Sequence, residues 1–326
     1  MLNRNAEALF WVGRYMERAE NHARLIDVHY HLQHEDSKLS ASIADTDGIG
    51  KWGAIVEALG SMPAYERHYE QYSELNVLKY VTLDRDHPNS LVACVNHARG
   101  NLRTLREKVP SELWDVVNAF YLWLRDKKPE DWIQESPHHF FQRIKEWAAL
   151  FQGIAQSVMP RENEWHFIEC GRYLERAENT LRILRSASGV FPEEEGGASA
   201  YPYLQAVLKS VSGYQAFRRY YADGMSVAAI IEFLVLHPAF PRSLHFSLQA
   251  LDDHLQGIAF QDAQLKAAHT KIIRQTSKLI AEVSCLEREE LLLDTDGFLI
   301  TDLLASCQQL GHGFAQTFFR RGEASA

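Results

Sequence analysis

Arginine, glutamate and asparagine recur at one-turn spacing in "GRYMERAEN", Gly13 to Asn21, and again in "GRYLERAEN", Gly171 to Asn179. Carried on to Arg24 and Arg182, nine of twelve positions are identical at an offset of 158. Placed 100° apart on a helix, Arg14, Glu17, Asn21 and Arg24 fall within an arc of about 80°, with Glu20 at its edge. Arg172, Glu175, Asn179 and Arg182 fill the same arc in the second copy, with Glu178 at the edge. Phe10 and Val28 share the meridian of Glu17 and Asn21, as Ile168 does in the second copy. Such a stripe reads as buried or cleft-lining, which charges tolerate only when paired and hydrogen-bonded. Guanidinium forks suit carboxylates, so the two copies can satisfy one another.

The same donors suit a second chemistry, a cleft for a peptide, amino acid or phosphate. A dimetal carboxylate site needs Glu-x-x-His pairs. Only His166 and Glu169 come near, in reversed order, and no metal site is assigned. His22, His29, His31 and His34 spread around the first helix rather than converging. Arg85 and Arg242, beside the Pro-Ser helix starts, are candidate anion-binding residues. Arg99, Arg103 and Arg106 make a basic stripe, either solvated, paired with Glu107 and Glu112, or a docking surface. No GxxxxGK[ST], GxSxG, HExxH or CxxC occurs, and no cofactor is expected.

The elements carrying these residues are helical. Nearly every long segment has the 3.6 period, and β-branched period-2 runs are scarce. Helices are read at 2–34, 51–60, 64–82, 88–108, 110–126, 136–158, 162–187, 201–222, 225–237, 240–257, 259–285 and 294–321. "SKLSASIADTDG", the stretch around "KKPEDW" and "ESP", and "SGVFPEEEGGASAYP" break them. Pro88 and Pro241 suit a first helical position. The fold class is all-α.

The repeat runs past the motif helix. Trp52, Ile55, Val56, Leu59 and Tyr65 align with Leu204, Val207, Leu208, Val211 and Phe217 at an offset of 152. "LDRDHPNSL" matches "LHPAFPRSL" at 153. The expectation is one domain over 1–326, a helical bundle of two pseudo-symmetric repeats, 1–158 and 159–326. A half alone would leave helix faces uncovered.

Net charge is −9 with no long run of like sign, against nucleic acid or an anionic membrane as partner. Four scattered cysteines read as reduced thiols. Arg4, Glu7 and Arg14 leave no uncharged signal-peptide core. "SVAAIIEFLVL" is too short to span a bilayer. A soluble, cytoplasmic protein is expected.

"LFWVGRYMERAENHARLIDV" resembles the opening of the bacterial alpha-E family, a helical domain of unknown function. "DRDHPNSL" with "ARGNLRTLREKVPSELWDVVN", "EWHFIECGRYLERAENTLRIL" and "FPRSL" are also similar to that family's pattern, so the resemblance covers the chain. Gly100–Asn101–Leu102 departs from it, where the family has a Glu-Asn-Ala-like run. The resemblance implies an association with circularly permuted ATP-grasp ligases and transglutaminase-like proteins. The expected role is a non-catalytic accessory or adaptor for amide (peptide) ligation. The alternative is a helical enzyme using the Arg/Glu/Asn cleft for amide or aminoacyl transfer. Partner and substrate identity, and homo-oligomerisation, stay open.

Overall fold

The computed structural model describes residues 3–35, 50–129, 131, 136–188, 201–222, 224–293 and 297–319. Its helices are α1 (Asn3–Glu35), α2 (Gly50–Ala58), α3 (Met62–Tyr65), α4 (Glu74–Thr82), α5 (Leu91–Thr104), α6 (Ser111–Arg125) and α7 (Pro137–Val158). Then follow α8 (Asn163–Ser188), α9 (Tyr201–Ser210), α10 (Tyr214–Tyr220), α11 (Val227–Leu236), α12 (Leu244–Gly257), α13 (Ala263–Cys285), α14 (Arg288–Leu293) and α15 (Phe298–Phe314). A π-helical turn, Ala315–Phe319, ends the described chain. No strand occurs among the described residues, so the fold is all-α. None of the described helices is long and apolar enough to cross a membrane.

The two motif helices, α1 and α8, form the most extensive helix pair and the centre of the bundle. Alpha5 and α7 pack on α1, while α12 and α15 pack on α8. The crossing is very close. A methyl built on Gly13 would lie 1.9 Å from the Ile168 carbonyl oxygen, and one on Gly171 would lie 2.0 Å from that of Phe10. Only glycine lets two helix backbones approach so far. The apolar faces read in sequence are buried: Val12, Met16, Ala19 and Ile26 on α1, and Cys170, Leu174, Leu181 and Leu184 on α8. Phe314 of α15 stacks on Phe10 with ring centroids 5.0 Å apart, which gives the apolar end of the polar stripe its partner.

Helix boundaries differ from the sequence reading where side chains cap. Ser90 and Ser243 are the N-caps of α5 and α12, accepting from the Ala93 and Phe246 amides at 3.2 and 3.0 Å. Pro88 and Pro241 therefore precede the caps and do not open the helices. The segment read as one helix over 64–82 breaks after α3. There the Tyr65 hydroxyl donates to the Gln71 carbonyl, and Ser73 caps α4. The segment 201–222 breaks at Ser212, whose φ is +54°. Alpha14 was not anticipated. The linker "SKLSASIADTDG" and most of "SGVFPEEEGGASAYP" lie outside the described residues.

Candidate functional site

The polar arcs of α1 and α8 face each other across the glycine crossing. Glu17 and Glu175 are 0% and 1% exposed. Each takes a two-pronged arginine from the opposite helix. Arg176 donates Nε and Nη2 to the two Glu17 oxygens, both at 2.8 Å. Arg18 donates Nε and Nη2 to the two Glu175 oxygens, at 2.7 and 2.8 Å. The two contacts are the same contact at an offset of 158, exchanged between the helices. A third donor completes each carboxylate: Arg14 Nε to Glu175 at 2.7 Å and Arg242 Nη1 to Glu17 at 3.1 Å.

Beyond this core the two sides diverge. Arg14 also forks onto Glu178, at 2.9 and 2.8 Å. Its counterpart Arg172 turns instead to Glu169 on its own helix, at 2.5 Å. Arg242, from the residue before the α12 cap, fills the vacated role. It donates to Glu20 and, at 2.6 Å, to the Asn21 side-chain oxygen. The residue aligned with Arg242 in the first copy is Asn89, which accepts from Arg18 Nη1 at 2.6 Å. Arg24 and Arg182 close their own helices' Glu20 and Glu178 from one turn away. Asn179 is buried in the same interface.

The electrostatics follow from these pairs. Burial pushes the Glu17 carboxyl up, but Arg176 and Arg242 outweigh it and hold the group at about 2. Burial likewise opposes ionisation of Glu175, and Arg18 and Arg14 hold it well below the usual carboxylate range. Glu169 goes the other way: burial raises it, and Arg172 only partly offsets that. His22, buried behind Arg18, is pushed down to about 3 by burial first and by that guanidinium second. Both key carboxylates are thus anions, each accepting three arginine N–H groups.

Of the residues singled out in sequence, all ten stripe residues gather at this interface. Arg242 joins them, yet as a structural partner of three acceptors; an anion would have to displace Glu17 and Glu20. Arg85 does not join them and is exposed, because the aligned position in the second copy is Pro238, not Arg242. Sequence reasoning missed Arg18 and Arg176, which sit 100° round from the glutamate before them. The available signal was their identity in both copies. Arg99 and Arg106 face neither Glu107 nor Glu112; both guanidinium groups lie over the Trp114 ring of α6, at 5.4 and 4.3 Å from its centroid. Glu169 and His166 do not make a dimetal half-site. The carboxylate holds Arg172, and His166 Nδ1 lies 3.2 Å from His254 Nδ1. A groove of about 540 Å³ lies elsewhere, between α13 and α15, and no stripe residue lines it.

Fold and site together define an all-α protein in which two like helices are locked by reciprocal, buried Glu-Arg pairs. The chain belongs to the Alpha-E family, whose model, described as a predicted alpha-helical domain with a conserved ER motif, matches residues 1–319. Glu17–Arg18 and Glu175–Arg176 are Glu-Arg dipeptides of that kind. Uncharacterized proteins of Mycobacterium bovis and Mycobacterium tuberculosis are each 26% identical over 322 residues, covering 92% of this chain. The match takes in 36% of each relative, so the chain spans about a third of their length. No solved structure matches.

Proposed function

We propose that the chain is a non-catalytic helical accessory unit, one domain built from two related halves, that serves an ATP-grasp type amide ligase. The observation that carries the non-catalytic reading is the saturation of Glu17 and Glu175, whose oxygens are all taken by internal arginines. An acid or base role for Glu17 or Glu175 would need a carboxylate oxygen free to meet substrate. The reciprocal Arg18–Glu175 and Arg176–Glu17 contacts support the two-halves reading. The longer relatives support the accessory role, since there the unit is part of a larger polypeptide. The ligase as partner rests on the family resemblance.

The test is co-purification of the tagged full chain with an ATP-grasp ligase encoded beside it, followed by ligase assays with and without the chain. The expected result is a stable complex and an altered ligation rate, with no ATP hydrolysis by the chain alone. Robust ATP turnover by the isolated chain, surviving repurification, would overturn the accessory reading.

A further inference from the structure

A second cluster lies nearer the C-terminal end of α1, where none of the arginine pairs reaches. Asp27 and His31 are one helical turn apart on α1, and His138 comes from the first turn of α7. The Asp27 carboxylate is buried, at 4% exposure, while the two histidine side chains are 46% and 44% exposed. Oδ1 of Asp27 lies 2.9 Å from His138 Nδ1 and 3.5 Å from His31 Nε2. Oδ2 accepts from Lys145 of α7 at 2.8 Å. One ligand atom from each of Asp27, His31 and His138 lies within 4.8 Å of the other two.

Oδ1 is the nearer oxygen to both histidines, although His138 Nδ1 also lies 3.1 Å from Oδ2, the oxygen that meets Lys145. Lys145 neutralises and orients Asp27 through Oδ2, as a hydrogen-bonded outer group does for a ligating carboxylate. Two imidazole nitrogens, carried on half-exposed side chains, converge on Oδ1. A tetrahedral ion with metal–ligand bonds of about 2.0–2.1 Å holds its ligand atoms roughly 3.4 Å apart. The Oδ1–His31 separation already has that value. The Oδ1–His138 separation must widen by about half an ångström, which a half-exposed side chain in a first helical turn can supply. Two imidazoles and one carboxylate are borderline ligands. They suit zinc and its neighbours rather than calcium or magnesium, which take oxygen.

The geometry points to a divalent transition-metal site of the Zn²⁺ class on Asp27 Oδ1, His31 Nε2 and His138 Nδ1, with water completing the coordination. Three protein ligands and an open position are the arrangement of a metal that can meet a further ligand. The ion would also tie α1 to α7. The inference stands apart from the accessory role and from the arginine clusters. The sequence reading assigned no metal here: it weighed His31 only with the other histidines of α1, which spread around that helix, and His138 is 111 residues from Asp27.

The test uses the full chain stripped with a chelator. Zn²⁺ is titrated by calorimetry, Co²⁺ by its visible absorption, and the thermal transition is followed with and without Zn²⁺. Expected are one equivalent of Zn²⁺ per chain at micromolar affinity or tighter, Co²⁺ bands of low coordination number, and a raised transition temperature. His31→Ala and His138→Ala should each weaken binding by about tenfold or more, with unchanged circular dichroism. His139→Ala, an exposed neighbour outside the cluster, should leave binding intact. No Zn²⁺ uptake by the stripped wild-type chain would overturn the site. So would any pattern other than loss in both ligand variants with retention in His139→Ala.

Discussion

A buried carboxylate held by opposing arginines makes a specific demand on stability. Removing Glu17 or Glu175 leaves guanidinium groups buried without a counter-charge, and Glu17→Ala or Glu175→Ala should cost about 3–5 kcal/mol. Exposed pairs would cost about 0–1 kcal/mol. The direction agrees: Arg176 and Arg242 hold Glu17 ionised, at about 2, against the pull of burial. Glu17→Gln keeps an acceptor oxygen and should cost less than Glu17→Ala. Urea denaturation of these variants measures the difference, and losses under about 1 kcal/mol for both alanine variants would mean the stripe is solvated. The same groups set the acid limit. His22 titrates at about 3 in the folded chain against 6.5 ordinarily. Between those values the unfolded chain binds a proton that the folded chain refuses, so stability falls as pH drops through that window. His87 and His254, each pushed down to about 4 by burial first, act in the same direction. Glu17 adds a further loss from about 4.5 down to about 2, because its folded-state carboxylate is the stabilised form. Glu169, raised by burial, opposes this in part. Denaturation midpoints taken across pH should be flat from neutrality to about pH 8, decline below about 6.5 and steepen below about 4.5. An unchanged midpoint between neutrality and pH 5 would contradict the buried, neutral histidines.

At the scale of helices, the glycine crossing brings the arginine forks within reach of the opposite glutamates. Backbone atoms under 3 Å from an added methyl cannot be rotated away, so Gly13→Ala and Gly171→Ala must push α1 and α8 apart. Their gain in helix propensity, about 1 kcal/mol, is outweighed by overpacking of about 1–3 kcal/mol or more and by lengthened ion pairs. Gly100 on α5 and Gly153 on α7 meet nothing within 4 Å of an added methyl. Gly100→Ala and Gly153→Ala should therefore stabilise by up to about 1 kcal/mol. Thermal unfolding of the four variants reads the contrast directly. Equal effects at all four positions would remove the case for a backbone-tight crossing.

At the scale of the whole molecule, each half supplies the other's counter-charges. Arg14 and Arg18 serve Glu175 and Glu178, while Arg176 and Arg242 serve Glu17 and Glu20. Chains 1–158 and 159–326 expressed separately should therefore lack cooperative unfolding and expose apolar surface to a dye. Mixed or co-expressed, they should regain helicity and a single transition. A half that unfolds cooperatively alone, with native-like stability, would make the halves separate domains.

Much was legible in the sequence because it is local. Helical periodicity determined the all-α class, and a repeated arc of Arg, Glu and Asn ending on Phe10 and Ile168 determined that charges point inward. A wheel gives direction without giving a partner. That Glu17 would meet Arg176 rather than Arg172, and that Arg242 would replace Arg172 while Arg85 stayed outside, depended on where α8 and the α12 cap arrive in space. The same holds for the breaks at 66–73 and at Ser212, which caps and tertiary contacts impose on segments whose period runs straight through. Asp27, His31 and His138 make the point most sharply. One helix carries two of them a turn apart, but only the packing of α7 on α1 brings the third ligand, and Lys145 behind it, because convergence of distant side chains is a property of packing and not of spacing.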